Sequence, residues 1–254
     1  MWKIIRASVV GTSHIDSGQL CQDSCFADVF QGIDSQEYLI CIVSDGAGSA
    51  KLGGAGAELA CTSAIKSIEA SLSSHRWTSI DETLIEEWIK DIQHSILETA
   101  AANGLTSREY ACTLLGAVVG PDDCIFFQIG DGAIVAASGC TQGVVFWPDS
   151  GMYANMTFFV TEEDALSHLQ VSITKAHIEE IAVFTDGIQR LALSFEQRIP
   201  HGPFFEPMLS VLRMRTPEEC EILNDHLVKF LSSPQVNRYT DDDKTLVLAT
   251  RRVQ

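Results

Sequence analysis

The sequence predicts an α+β fold, a four-layer αββα sandwich in which two antiparallel sheets pack face to face beneath outer helices. Two observations predict it. Short apolar runs bounded by turn-forming residues recur along the chain, the pattern of antiparallel strands joined by short turns. Between them lie stretches with one apolar face at helical spacing, a pair between the early and middle strands and another before the last strand. Each such helix has only one face to bury, and a sheet face satisfies it.

Strands are predicted first at 2–10, 24–30 and 38–44. The third, Tyr38-Leu39-Ile40-Cys41-Ile42-Val43, runs directly into Asp45-Gly46, a pair suited to tight backbone geometry. Over 55–73, Cys61, Ile65, Ile68 and Leu72 fall on one helical face, and over 79–102 Ile80, Leu84, Trp88, Ile92 and Ile96 do the same. Ser79 with Glu82 reads as a capping box opening the second of these helices, and Gly104 as its stop. Strand runs return at 111–119, 124–129, 133–138, 143–147, 156–160 and 180–185. Asp131-Gly132, between two of them, reads first as a hairpin turn and second as a metal ligand. Thr216-Pro217-Glu218-Glu219 begins another helix, with Leu223, Leu227, Phe230 and Leu231 as its buried face and Ser232-Ser233-Pro234 as its end. A last strand is predicted at 244–250.

The chain of 254 residues shows no linker or fixed-period repeat, so a single domain over 1–254 is expected. Lys and Arg total 17 against 34 Asp and Glu, and a net charge of −17 argues against a nucleic-acid partner, whose phosphates must be neutralised by cations. The N-terminus lacks the apolar region of a signal peptide, and no run approaches the roughly 20 apolar residues of a membrane span. The eight cysteines form no CxxC and mostly sit in apolar stretches, as reduced core residues of a cytoplasmic protein do.

Asp45, Asp186 and Asp242 are remote in sequence, yet each stands where a predicted strand meets a loop, and Asp23 lies just before another strand. A rigid sheet can aim such side chains into one cleft. Clustered carboxylates repel unless a cation neutralises them, and hard oxygen donors select Mg²⁺ or Mn²⁺. The chemistry such a cluster supports is phosphoryl transfer to water, with two cations roughly 3.5–4 Å apart. Gly46, lacking a Cβ, would let its carbonyl approach an ion. Singly, Asp45 reads equally well as a metal ligand or as a turn or cap of a helix beginning near Leu52, and Asp242 as part of a solvated acidic patch; the set points to metal. The glycine-rich stretch 46–56 holds neither GxGxxG nor a P-loop, a weak signal for a phosphate cradle, and reads instead as a flexible loop near the cleft that opens a helix. Of seven histidines, His14 at a strand end is the one to place in the cleft, with a surface or structural role as the competing reading.

With these residues in view, the chain resembles the PPM (type 2C) metal-dependent Ser/Thr protein phosphatases. The matching stretches are CQDS, VSDGAGS, YACTLLGAVV followed by QIGDGAIV, VFTDGIQ and DDKTLVLA, in the family's order and over nearly the whole chain. GTSHIDSGQLCQDS, YANMTFFVTEEDA and FLSSPQVNRYTDDDKTLVLA are similar to its compact bacterial branch. The resemblance implies a dinuclear Mn²⁺ or Mg²⁺ centre between the sheets and hydrolysis of phosphoserine or phosphothreonine by an activated water, without a covalent intermediate. It implies that Asp45 bridges both ions, that Gly46 binds one through its carbonyl, that Asp186 and Asp242 complete one shell, that Asp23 lies at the cluster directly or through water, and that Asp131 holds a weaker third ion. Phosphoprotein substrates, together with a Ser/Thr kinase and its targets, are the implied partners of a monomeric enzyme.

Three positions depart from the family pattern. Ala47 stands where many members carry a histidine general acid, Gly18 where an arginine grips the phosphate, and Arg190 where a second carboxylate supports the third ion. His14 or Arg190 is then expected to supply the phosphate contact. A pseudophosphatase used as a binding module, and a phosphatase of small phosphorylated metabolites, are the competing expectations. A flap-like region at about 148–177 would border the cleft and set substrate preference.

Overall fold

Alternation along one strand shows why two sheets and two helical layers form. In the computed structural model, which describes residues 1–74, 80–148 and 157–252, Leu39, Cys41 and Val43 join an apolar cluster between the sheets. Tyr38, Ile40 and Ile42 join a second cluster under helices. The strand is apolar at every position from 38 to 43 because both of its faces are covered, successive side chains pointing to opposite faces.

The elements run β1 (Lys3–Val9), α1 (Thr12–Ser17), β2 (Asp23–Gln31), β3 (Glu37–Asp45), α2 (Gly53–Ser74), α3 (Glu82–Ala102), β4 (Leu114–Val119), β5 (Asp123–Ile129), β6 (Ala133–Ser138), β7 (Thr141–Val144), β8 (Gln170–Lys175), β9 (Glu180–Phe184), α4 (Gln189–Ala192), β10 (Leu193–Ser194), β11 (Ile199–Pro200), α5 (Gly202–Arg213), α6 (Cys220–Leu231) and β12 (Lys244–Thr250). One sheet has the order β1-β12-β9-β6-β7, the other β2-β3-β4-β5-β8, and β10 pairs with β11 in a two-residue ribbon. Every pairing is antiparallel. Helices α2 and α3 cover the second sheet, where Ile68, Leu72, Trp88, Ile92 and Ile96 meet Phe127 and Ile129. Helices α5 and α6 cover the first, where Phe205, Leu209, Leu227 and Leu231 meet Ile5, Phe184, Leu246 and Leu248. Between the sheets lie Leu115, Ala117, Phe126, Ile134, Val183 and Val247. The three apolar layers, in which each fully buried large side chain contributes roughly 1.5–3 kcal/mol, make the predicted αββα sandwich.

Several local expectations are corrected. Asp131-Gly132 is not a hairpin turn: β5 pairs with β4 and β8, whereas β6 pairs with β7 and β9, so the pair is a crossover from one sheet to the other. Gly130 and Gly132 take φ of 98° and 103°, the positive values that swing the chain across. Residues 157–160 form no strand, residue 156 lying outside the described residues; β8, which the sequence did not suggest, fills that edge of its sheet instead. Ser79 also lies outside the described residues. The side chain that caps α3 is Asp81, which accepts from the Leu84 amide at 3.1 Å. Helix α5, with Pro203 in its first turn, was also unforeseen. The Thr216–Glu219 capping box is present, on a short 3₁₀ turn that leads into α6. Among the described residues, no helix is long and apolar enough to cross a membrane.

Candidate metal centre

The register of β2 against β3 sets Asp23 directly opposite Asp45. Like charges face each other across a ladder only at a cost, so the pairing calls for a compensating partner. Asp186 arrives from the first sheet, one residue after the Thr185 that follows β9, and Asp131 arrives on the crossover. Asp45, Asp131 and Asp186 each offer a carboxylate oxygen, and these three atoms lie within 4.8 Å of one another. Asp242, two residues before β12, lines the same cleft as Asp131 and Asp186.

Burial sets the electrostatics. It pushes the Asp45 carboxyl far above the usual carboxylate range, and the neighbouring Asp23, Asp186, Asp242 and Asp131 add to the rise. Asp186 is raised by burial and then by Asp131 and Asp242. Asp23 is raised mainly by burial, although the Thr185 hydroxyl, donating to its Oδ2 at 2.8 Å, holds it down in part. Burial also raises Asp242. The Oδ1 atoms of Asp23 and Asp186 are buried without a hydrogen-bond partner. Such oxygens are costly to leave unmet. An all-oxygen donor set with partnerless buried atoms and strong mutual repulsion fits a hard divalent cation.

Backbone packing explains the glycine after Asp45. A Cβ on Gly46 would lie 2.3 Å from the Gly53 carbonyl carbon, so the loop after β3 can pass the start of α2 only with glycine there. Asp45 is held from behind: its amide donates to the Thr113 hydroxyl at 2.9 Å, and its carbonyl accepts from the Thr113 amide at 2.8 Å. Asp131 Oδ2 accepts from the Thr157 hydroxyl at 2.7 Å.

Beside the carboxylates opens a cleft of about 770 Å³. Its lining includes Asp131, Asp186 and Asp242, the exposed Arg190, and the aromatic residues Trp147, Phe158, Phe195 and Tyr239. His14 does not line it. That residue sits in α1 rather than at a strand end, with Nδ1 2.9 Å from Asp243 Oδ1 in a contact that lacks hydrogen-bond geometry. The cleft's histidine is His168, stacked on Phe158 with ring centroids 3.5 Å apart. Gly18 ends α1 in the left-handed conformation at φ 70°, a backbone role in place of the family's arginine. Ala47 is buried, and its amide donates to the Ala111 carbonyl at 2.8 Å. Of the expected flap, 149–156 lies outside the described residues, while 157–175 supplies Phe158 and His168 to the cleft and β8 to the sheet.

Sequence reasoning missed Asp243 and Lys244. Lys244 is fully buried, donates from Nζ to the Asp242 carbonyl at 3.0 Å and has its pKa lowered by burial. The signal was present as a third consecutive aspartate followed by a lysine in an otherwise apolar strand.

Comparison with known proteins follows the same lines. A family model described as protein phosphatase 2C matches residues 10–232. Serine/threonine-protein phosphatase 3 of Escherichia coli (strain K12) is 41% identical over 248 residues, which cover 98% of each chain. Among solved structures, a bacterial serine phosphatase superposes with a TM-score of 0.63 at 14% identity, covering 100% of this chain and 99% of that one. The catalytic domain of the serine threonine protein phosphatase PstP, in complex with two manganese ions, superposes with a TM-score of 0.62 at 12% identity, covering 98% and 97%. At those identities the two structures speak for the fold.

Proposed function

This chain belongs to the protein phosphatase 2C family, and from that premise we propose that its acidic cleft hydrolyses phosphoserine and phosphothreonine in proteins with two bound divalent cations, Mn²⁺ or Mg²⁺. The observation that carries the reading is the convergence of Asp45, Asp131 and Asp186 from separate segments of the chain, with buried oxygens of Asp23 and Asp186 that lack partners. Bound there, such cations lower the pKa of a water and neutralise phosphate charge for in-line displacement.

Asp45 faces Asp23 across the ladder and groups with Asp131 and Asp186, so it would hold the cations together with them, with the Gly46 carbonyl as a further donor. Asp186 and Asp242 would complete one shell, and Asp23 would approach through its partnerless Oδ1. Asp131 would hold a third, weaker cation, and its grouping with Asp45 and Asp186 puts it within reach of the first two as well. On the cleft wall, the Arg190 guanidinium can grip phosphate oxygens as a fork. His14, outside the cleft lining, is assigned no phosphate contact. With Ala47 carrying no titratable group, the proton for the leaving alkoxide comes from solvent in the open cleft. Retained carboxylates favour an enzyme over a pseudophosphatase, because a scaffold gains nothing from clustered buried acids. The breadth and aromatic lining of the cleft favour a phosphoprotein segment over a small metabolite. The same reading makes the targets of a Ser/Thr kinase the substrates of a cytoplasmic monomer.

The test is turnover of p-nitrophenyl phosphate, phosphothreonine peptides and small phosphorylated metabolites with Mn²⁺, Mg²⁺ or chelator, with Asp45→Asn as control. Mn²⁺-dependent turnover that prefers phosphopeptides and disappears in the control is expected. Full activity in chelator, or a preference for metabolites, would overturn the reading.

A further inference from the structure

Asp243 follows Asp242 but behaves differently: it is 3% exposed, lines no part of the cleft and stands outside the carboxylate group. Both of its oxygens are occupied by main-chain donors. Oδ1 accepts from the Gly11 amide at 2.6 Å, and Oδ2 accepts from the Gln22 amide at 2.5 Å. One carboxylate thus closes the segment from 11 to 22 into a ring. The Ser13 amide and hydroxyl reinforce the closure by donating to the Asp241 carbonyl at 2.9 and 2.8 Å. A Cβ on Gly11 would lie 2.3 Å from the Asp242 carbonyl carbon, so the two segments touch backbone to backbone.

The ring is joined to the segments that bear Asp23, Asp45, Asp186 and Asp242. Gln22 precedes Asp23, and its carbonyl accepts from the Gly46 amide at 3.1 Å, next to Asp45. Asp242 is the preceding residue. On the remaining side, a Cβ on Gly187 would lie 1.9 Å from the Asp243 carbonyl oxygen, so the residue after Asp186 presses directly on the Asp243 main chain.

We propose that Asp243 is a positioning residue: through the backbone of Gln22 and Gly11 it fixes the relative placement of Asp23, Asp45 and Asp242, and so sets the cation affinity of the site. The inference rests on the metal reading above. A carboxylate suits this task because both partners are N–H donors. Asparagine would keep one acceptor and turn an NH₂ group toward the other amide. Groups that orient ligands without touching the metal commonly govern affinity about 10–100-fold.

The experiment is calorimetric titration of the metal-free wild type, Asp243→Asn and Asp243→Ala with MnCl₂, together with hydrogen exchange and steady-state kinetics on p-nitrophenyl phosphate. Asp243→Asn is nearly isosteric, and it keeps the test decisive if the alanine variant does not fold. The expected result is a Mn²⁺ Kd raised about 10-fold in Asp243→Asn and up to about 100-fold in Asp243→Ala, with ion stoichiometry unchanged. Amides of Gly11 and Gln22 should exchange faster, while saturating Mn²⁺ restores most of kcat at an unaltered KM. An unchanged Kd in the folded Asp243→Asn protein would overturn the inference alone, as would loss of a whole ion from the stoichiometry, which would make Asp243 a ligand. A wild type that binds no Mn²⁺ would overturn the metal reading and this inference together.

Discussion

Asp45 concentrates the conflict between function and stability in one side chain. Four carboxyls in the site are raised above the ordinary aspartate value of 3.8, each first by burial. Without a cation, the folded state therefore keeps protons that the unfolded chain has already released. The folded protein binds more protons above that ordinary value, so the stability of the metal-free protein falls as pH rises through the raised folded values. Thermal melts in chelator should show Tm dropping between about pH 5 and pH 8, and added Mn²⁺ should flatten the dependence. A Tm that rises over that interval in chelator would be incompatible with this account. Asp45→Asn should move activity and stability in opposite directions. Turnover falls at least about 100-fold, because several kcal/mol of charge stabilisation depends on the bound cations. The Tm in chelator at neutral pH rises, because folding no longer has to protonate a buried carboxyl that the unfolded chain holds ionised.

At the scale of elements, close backbone approaches and one buried ion network hold the site's supports in place. Helix α2 crosses the turn before β4 so tightly that a Cβ on Gly56 would lie 2.0 Å from the Tyr110 carbonyl oxygen. Gly56→Ala should cost about 1–3 kcal/mol in urea denaturation, because the helix must lift from its seat. On the other face, Glu180 of β9 receives Arg213 of α5 through Nε and Nη2 at 2.7 and 2.8 Å, the Thr250 hydroxyl at 2.9 Å, and Arg252 at 3.2 Å. Burial pushes the Glu180 carboxyl up, but these donors outweigh it and hold the group below its usual range. Removing the principal partner while leaving the buried acid is the destabilising case. Arg213→Met should lose about 3 kcal/mol at neutral pH, measured by the same denaturation. If stability is unchanged, Arg252 alone suffices to neutralise Glu180.

The whole molecule brings two sheets together so that their loops meet at one edge. Asp23 and Asp45 come from one sheet, Asp186 and Asp242 from the other, and Asp131 from the strand-to-strand crossover between them. Arg190 and the aromatic residues of the cleft border this junction. Arg190→Ala should raise KM for phosphopeptides about 10-fold with little change in kcat, the signature of lost ground-state phosphate binding. An unchanged KM would place the phosphate contact elsewhere on the cleft wall.

Much of this was legible in the sequence because it depends on short-range periodicity. The six-residue apolar run ending at Val43 identified a doubly buried strand, the helical spacing from Ile80 to Ile96 identified α3, and the position of Asp45, Asp186 and Asp242 at strand ends marked a shared cleft. Helix α5 and strand β8 were not legible. The first does carry an apolar face in Phe204, Phe205, Leu209 and Leu212, but the proline that opens it and Pro207 within it read as helix breakers, and the second lies mostly exposed at a sheet edge and repeats no apolar pattern. The sequence by itself determined which strands could be buried on both faces and which carboxylates stood at their ends, because alternation and strand termination are local properties. Only the tertiary structure decided that Asp131 belongs to a crossover rather than a hairpin, that His168 instead of His14 faces the cleft, and that Asp243 ties three loops together. Pairing partners, side-chain facing and backbone-to-carboxylate contacts across more than 200 residues depend on where remote segments meet, and no local pattern records that.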